Sequence, residues 1–137
     1  MKYNWDESYS VGINKFDLQH QEFFNIANKI YDLTGHKDIN RDQLFSVVSE
    51  LNNYATYHLA AEESAFYEYN YPGYMAHVSA HGFLREKINE YIEKCMNSET
   101  DLVNLAREMT DFVTDWLIEH IKTTDKLYTD FLKDKEI

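Results

Sequence analysis

The chain has 137 residues with 13 basic and 24 acidic side chains, which gives a formal net charge of −11. This length suits one domain, and the apolar (44%) and charged (27%) fractions indicate a globular rather than a disordered protein. The acidic balance argues against nucleic acid and anionic membranes as partners, because both would repel the chain. The single cysteine excludes an internal disulfide and is compatible with a reducing cytoplasm.

The chain predicts long helices with few connections. Four glycines and one proline are too few for the turns of a β-sandwich or barrel. The N-terminus lacks the apolar run of a signal peptide, and no stretch approaches the ~18 apolar residues of a membrane span. We therefore expect a cytoplasmic protein without a membrane segment.

Helical periodicity begins after an extended arm over residues 1 to about 16. Asp17 is a candidate N-cap for the first helix, and Asn40 is a candidate N-cap for the second. Residues 70–73, Asn-Tyr-Pro-Gly, give the strongest turn signal of the chain. The sequence predicts a single all-α domain, an up-down-up-down antiparallel four-helix bundle. Its elements are helices at about 17–35, 41–70, 74–96 and 100–121, with a short helical tail over 122–137.

Five of the six histidines fall on the inward-facing stripes of these helices, and only His36 lies outside them. One histidine on an apolar stripe is more often a hydrogen-bonded core residue than a metal ligand. Burying five histidines and a glutamate without partners would cost roughly 1–3 kcal/mol each, against a net stability of about 5–15 kcal/mol. Metal ions would supply the missing partners. The predicted ligands are His20, His58, Glu62, His77, His81 and His120.

Two pairs have a spacing that suits one metal site. His58 and Glu62 are one helical turn apart and face the same point, and His77 and His81 form a similar clamp. Glu63 is rotated by about 140° from His58, so we expect it to point outward.

A third pair, His120 and Asp125, does not fit a straight helix. Residues five apart on an α-helix are separated by about 140°. Either a π-type turn or a bend is required to bring Asp125 to the site. Thr124 has the better angle but is a poor ligand, so spacing alone leaves Asp125 undecided.

The donor set favours a pair of ions. The zinc-protease motif H-E-x-x-H and the Glu-x-x-His motif of ferritin-like sites are both absent. A structural zinc ion needs only four ligands, which are usually rich in cysteine. Imidazole suits iron, zinc, copper and nickel, and bridging carboxylates favour two ions. The residues predict a buried dinuclear site, with iron as the preferred metal.

Several short motifs follow one another in an order typical of one family. They are Val11-Gly12-Ile13, Phe16-Asp17-Leu18-Gln19-His20, His58-x3-Glu62, His77-x3-His81 and Trp116-Leu117-Ile118-Glu119-His120-Ile121, followed by Asp125. Across essentially its whole length the chain resembles hemerythrins, specifically the single-domain bacterial form. Phe16 departs from the usual Ile before the Asp, which is a conservative change.

The resemblance implies reversible dioxygen binding, for storage or delivery, by a monomeric protein that is not an enzyme. It implies two iron ions with a hydroxo or oxo bridge. One iron would be held by His77, His81 and His120, and the other, with an open position, by His20 and His58; Glu62 and Asp125 would bridge them. Two alternatives stay open: an oxygen or redox sensor domain, and a di-iron peroxidase or nitric-oxide scavenger.

An apolar pocket is expected around the open iron. Its candidate residues lie one position or one helical turn from the expected ligands. At this spacing each of them is also typical of ordinary core packing. The candidates are Phe23, Phe24, Leu59, Trp116, Leu117 and Ile121.

Overall fold

A computed structural model describes residues 4–137, so the first three residues of the predicted arm lie outside the described part. Residues 4–137 contain helices and turns but no strand. This confirms the predicted all-α four-helix bundle. A 3₁₀ turn at Glu7–Tyr9 precedes α1 (Asn14–Thr34), α2 (Arg41–Glu68), α3 (Tyr74–Met96) and α4 (Leu102–Glu119), and these are followed by a π turn (His120–Thr124), a 3₁₀ turn (Asp125–Tyr128) and α5 (Thr129–Leu132).

Side-chain caps and turn residues set the helix ends. Asn40 caps α2 as predicted, since its side-chain oxygen accepts from the amides of Asp42 (2.7 Å) and Gln43 (3.3 Å). Asp101 caps α4 in the same way. After α2, Asn70 has a φ of 57°, a left-handed conformation that asparagine tolerates. These local signals account for the short connections of the bundle.

The prediction that Asp17 is the N-cap of α1 was wrong. The helix begins at Asn14, and Asp17 lies inside its first turn, where the helix dipole stabilises a carboxylate. The carboxylate accepts hydrogen bonds from the Ser10 hydroxyl (2.6 Å) and the Val11 amide (2.8 Å). Asp17 therefore ties the N-terminal segment to α1, and this segment is not extended throughout.

The antiparallel arrangement brings the histidines to one end of the bundle. They lie early in α1 and α3 but late in α2 and just after α4. The opposite end is filled by buried apolar side chains such as Leu44, Cys95 and Leu105, while His36 is exposed in the connection between α1 and α2. Within residues 4–137, no helix is both long and apolar enough to span a membrane.

Candidate metal centre

Five histidines and two carboxylates converge in the core, and none of the seven is more than 6% exposed. Their ligand atoms form two groups, in each of which all atoms lie within 4.8 Å of one another. Glu62 belongs to both. The five-residue group is Glu62, His77, His81, His120 and Asp125, and the three-residue group is His20, His58 and Glu62.

A π turn brings Asp125 to the centre. The helix widens over His120–Thr124, and the amide of Asp125 donates to the carbonyl of His120, five residues earlier. As a result, Asp125 Oδ1 lies 2.9 Å from His120 Nε2. Of the two alternatives that the sequence left open, the structure shows the wide turn.

Asp125 lies between the two groups. Its Oδ1 atom is 2.8 Å from His77 Nε2 in the five-residue group, and its Oδ2 atom is 3.1 Å from His20 Nε2 in the three-residue group. One carboxylate therefore presents one oxygen to each side, the arrangement that a bridge between two ions requires.

Glu62 also spans the centre. Its Oε1 atom lies 3.2 Å from His81 Nε2 and 3.3 Å from His58 Nε2. The hydroxyl of Tyr128, which is fully buried, donates to the Oε2 atom at 2.6 Å. Sequence reasoning missed Tyr128, although it lies three residues after Asp125. This bond fixes one oxygen of Glu62 and leaves the other directed at the histidines.

Several buried polar atoms of the centre have no hydrogen-bond partner. Some lie within about 3 Å of each other, but their geometry does not satisfy hydrogen-bond directionality. Leaving such buried polar atoms without a hydrogen bond is costly, and coordination to metal ions would satisfy them. The donor set therefore fits metal. Among the described residues, the unpaired atoms at the centre are Glu62 Oε1, His20 Nδ1, Asp125 Oδ1 and Oδ2, and the Nε2 atoms of His77, His81 and His120.

The two carboxylates stay ionised despite their burial. Burial raises the pKa of Glu62, but the neighbouring His58, His20 and His81 outweigh it and hold the pKa well below the usual value. Burial and the charge of Glu62 both raise the pKa of Asp125, but its histidine neighbours outweigh them and hold the pKa low. The centre thus offers two negative charges to cations.

The histidines of the centre differ in the direction in which their pKa values are shifted. Burial lowers the pKa of His20 and of His81, but their carboxylate neighbours outweigh it and raise each pKa to about 9. Burial dominates at His58, whose pKa is lowered. In the metal-free chain, His20 and His81 therefore carry protons at neutral pH, and their two positive charges offset the two negative charges of Glu62 and Asp125.

Glu63 supports the five-residue group from outside. Its Oε2 atom lies 2.8 Å from His81 Nδ1, and the guanidinium of Arg85 donates to both of its oxygens at 3.0 Å. The expectation that Glu63 points outward was wrong, because the outer side of α2 here faces α3 rather than solvent. A carboxylate on Nδ1 orients the imidazole and strengthens Nε2 as a donor.

Gln19 has the corresponding position beside the three-residue group. Its side-chain oxygen contacts His58 Nδ1 at 2.5 Å, and the residue is 5% exposed. Gln19 was not among the predicted site residues. Its polar side chain directly before the core residue His20 was the sequence signal that could have indicated this role. The two groups thus differ in the charge behind their histidines.

Aromatic rings enclose the centre. The ring of Trp116 stacks on His120 with centroids 4.3 Å apart and planes 12° apart. Phe66 lies 4.6 Å from the ring of His77, and Phe23 contacts His58 edge-on at 5.2 Å. These contacts fix the imidazoles and exclude water from around them.

The pocket candidates are buried, except for Trp116, which is partly exposed. Leu59, Leu117 and Ile121 are at most 3% exposed. Leu59 directly follows His58 and Ile121 directly follows His120, while Leu117 lies about one turn before His120. Phe24 packs against aromatic rings of the N-terminal segment. The role of these residues around dioxygen stays a prediction.

A helical bundle with a buried histidine and carboxylate centre defines a class of metal-binding four-helix proteins. The family model "Hemerythrin HHE cation binding domain" matches residues 11–132. The chain belongs to the hemerythrin family.

Relatives and solved structures agree with this assignment. A bacteriohemerythrin of Clostridium acetobutylicum is 30% identical over 128 residues, which cover 92% of this chain and 98% of that protein. One from Stenotrophomonas maltophilia is 26% identical over 129 residues, 94% of this chain and 80% of that protein. A crystal structure of wild-type hemerythrin superposes with a TM-score of 0.88 at 26% identity and covers 97% of this chain and 99% of the other.

Proposed function

We propose that this protein binds dioxygen reversibly at a di-iron centre, for storage or delivery in the cytoplasm. The observation that carries the proposal is the pair of donor groups that share Glu62 and are spanned by Asp125. When bound, a pair of iron ions supplies the electrons for reversible oxygen binding. The protein has to hold the ions, exclude water and keep the charge of the centre low.

We assign His77, His81 and His120 to one ion and His20 and His58 to the other. This division follows the two groups of ligand atoms. An ion held by His20 and His58 would have fewer protein donors and could therefore keep a position for a ligand, as metal sites that bind small molecules do.

Charge favours two ions in this core. Isolated charges are costly to bury, and two divalent cations facing only neutral imidazoles would not be tolerated. The carboxylates of Glu62 and Asp125 offset two of the four positive charges, and a solvent-derived hydroxide would offset a third. An oxygen or redox sensor, one of the alternatives left open by the sequence, could use the same site with the same residues.

The test is anaerobic reduction of the iron-loaded protein, followed by addition and removal of oxygen under visible spectroscopy. We expect an absorption band that appears with oxygen and disappears when the gas is removed. Irreversible bleaching would favour a redox sensor, and turnover of peroxide or nitric oxide would favour an enzyme. Metal analysis accompanies the measurement, and one zinc ion per chain would refute the di-iron assignment.

A further inference from the structure

A surface cavity of about 560 Å³ lies between the start of α1 and the C-terminal tail. This volume is within the usual range for small-molecule sites. Gln19 lines the cavity and also contacts His58 of the three-residue group. The cavity is therefore separated from the metal centre by one side chain.

Apolar side chains form much of its wall. Leu18 and Tyr57 are 56% and 58% exposed, which is high for large apolar side chains that line the same cavity. Covering them would remove apolar surface from water. The other apolar lining residues are Ile13, Leu132 and Ile137.

The charged side chains that line the cavity are all basic. Lys15, Lys133 and Lys135 line the cavity, and no lining side chain is acidic; Ile137, the last residue of the sequence, also lines it and carries the α-carboxylate. In the tail, Asp134 and Glu136 alternate with the two lysines and are exposed, but they do not line it. In a chain of net charge −11, three lysines against one α-carboxylate leave the cavity wall with an excess of positive charge, which indicates a site for an anion.

The ammonium groups are available to a ligand. That of Lys15 makes no hydrogen bond or ion pair with any residue of the described range, 4–137. Lys133 Nζ lies 3.5 Å from Asp130, whose side chain is 95% exposed, so this pair is weak. Lys135 lies over two aromatic rings, at 5.7 and 5.8 Å, which leaves its charge uncompensated by an anion.

We propose that this cavity binds an amphipathic carboxylate, an unbranched acid of medium chain length. The lysines would hold the carboxylate group, and the apolar wall would cover the alkyl chain. We further infer that the bound acid changes the oxygen affinity through Gln19, because any shift of that side chain moves its contact with His58 Nδ1. This second part rests on the proposed oxygen binding.

Calorimetric titration of the iron-loaded protein with octanoate tests the site. We expect saturable binding to one site, with 1-octanol and inorganic phosphate at least about fivefold weaker, because each lacks one half of the recognised ligand. Lys15→Gln and Lys133→Gln should each weaken octanoate binding about two- to fivefold. Lys29→Gln is the matched control, since Lys29 pairs with Glu50 away from the cavity and should change nothing.

The proposed site would be overturned if octanoate did not bind, or if 1-octanol or phosphate bound as tightly as octanoate. Insensitivity to both lysine variants would do the same. These titrations do not require oxygen chemistry, so the site can fail while oxygen binding holds, and the reverse.

Oxygen titration with and without saturating octanoate tests the coupling. We expect a shift in half-saturation that is reduced in Gln19→Met, which keeps the volume but removes the contact with His58. An unchanged half-saturation in the wild-type protein would refute the coupling.

Discussion

The two halves of the metal centre are built from the same residue types but differ in the number of ligand residues. The five-residue group gathers three histidines and both carboxylates, and Glu63 with Arg85 places an ion pair behind His81. The three-residue group has two histidines and the shared Glu62, and a neutral amide, Gln19, lies behind His58.

This difference has a physical consequence. More donors and a charged outer layer bind an ion tightly and fill its coordination positions. If the proposed function holds, fewer donors and an apolar surrounding would leave the other ion with a position for dioxygen. We infer that one half of the centre anchors a metal ion and the other half performs the binding function, while Glu62 and Asp125 join them.

The largest expected effect comes from the residue common to both halves. Glu62→Gln keeps the volume but removes the shared charge, so iron content should fall from about two ions per chain to nearly none. His20→Ala removes a donor from the three-residue group only and should leave about one ion. Metal analysis after reconstitution measures both.

Glu68→Gln, an exposed position on the same helix, is the control for these variants. Circular dichroism checks that each variant is folded. Full iron content in Glu62→Gln would contradict a shared ligand, and loss of both ions in His20→Ala would contradict two separable halves.

Metal uptake should release protons from both halves. The pKa values of His20 and His81 are raised to about 9 in the metal-free chain, above the unfolded value of 6.5. Their protonation therefore stabilises the metal-free fold fully below pH 6.5, and this contribution is lost as the pH rises through about 9. Metal ions require neutral imidazole, so affinity should rise about tenfold per pH unit for each proton released between about pH 7 and 9.

Calorimetry at about pH 7 in buffers of different ionisation enthalpy counts the protons. We expect about one for each ion, because each half contains one histidine with a raised pKa. A heat of binding that is independent of the buffer would show that no proton leaves.

Changing Glu63 or Gln19, which lie behind the histidines, should have a smaller effect on metal binding. Glu63→Gln removes the charge behind His81 and should weaken the ion of the five-residue group by about tenfold. Gln19→Met should act only on the ion of the three-residue group. Competition with a chelator measures both affinities, with the exposed Glu68→Gln again as control. Equal loss at both ions in either variant would contradict the division.

The smallest effect concerns the apolar wall. Leu117→Ala opens space next to the centre, and we expect the admitted water to speed autoxidation of the oxygenated protein several-fold. Leu105→Ala is the matched control, because Leu105 is also 3% exposed on α4 but lies at the far end. Stopped-flow absorption follows the decay, and identical rates in Leu117→Ala and wild type would remove Leu117 from the pocket.

Local pattern predicted much of this molecule. Helical periodicity placed the four helices to within a few residues, and one-turn spacing predicted the pairs His58 with Glu62 and His77 with His81, which the structure brings together. Local pattern failed at Asp17, because the dipole of a helix and two donors from the preceding segment hold this carboxylate inside the first turn. It also failed at Glu63, since angular position on one helix does not reveal whether a neighbouring helix covers that side.

The sequence by itself determined the four-helix architecture and the one-turn pairs His58 with Glu62 and His77 with His81, because both follow from spacing along one helix. Only the tertiary structure decided that a π turn delivers Asp125, that Tyr128 holds Glu62 and that Gln19 and Glu63 lie behind different histidines. Most of these contacts join residues far apart in the chain, and they depend on how the helices pack rather than on the order of residues within any one of them.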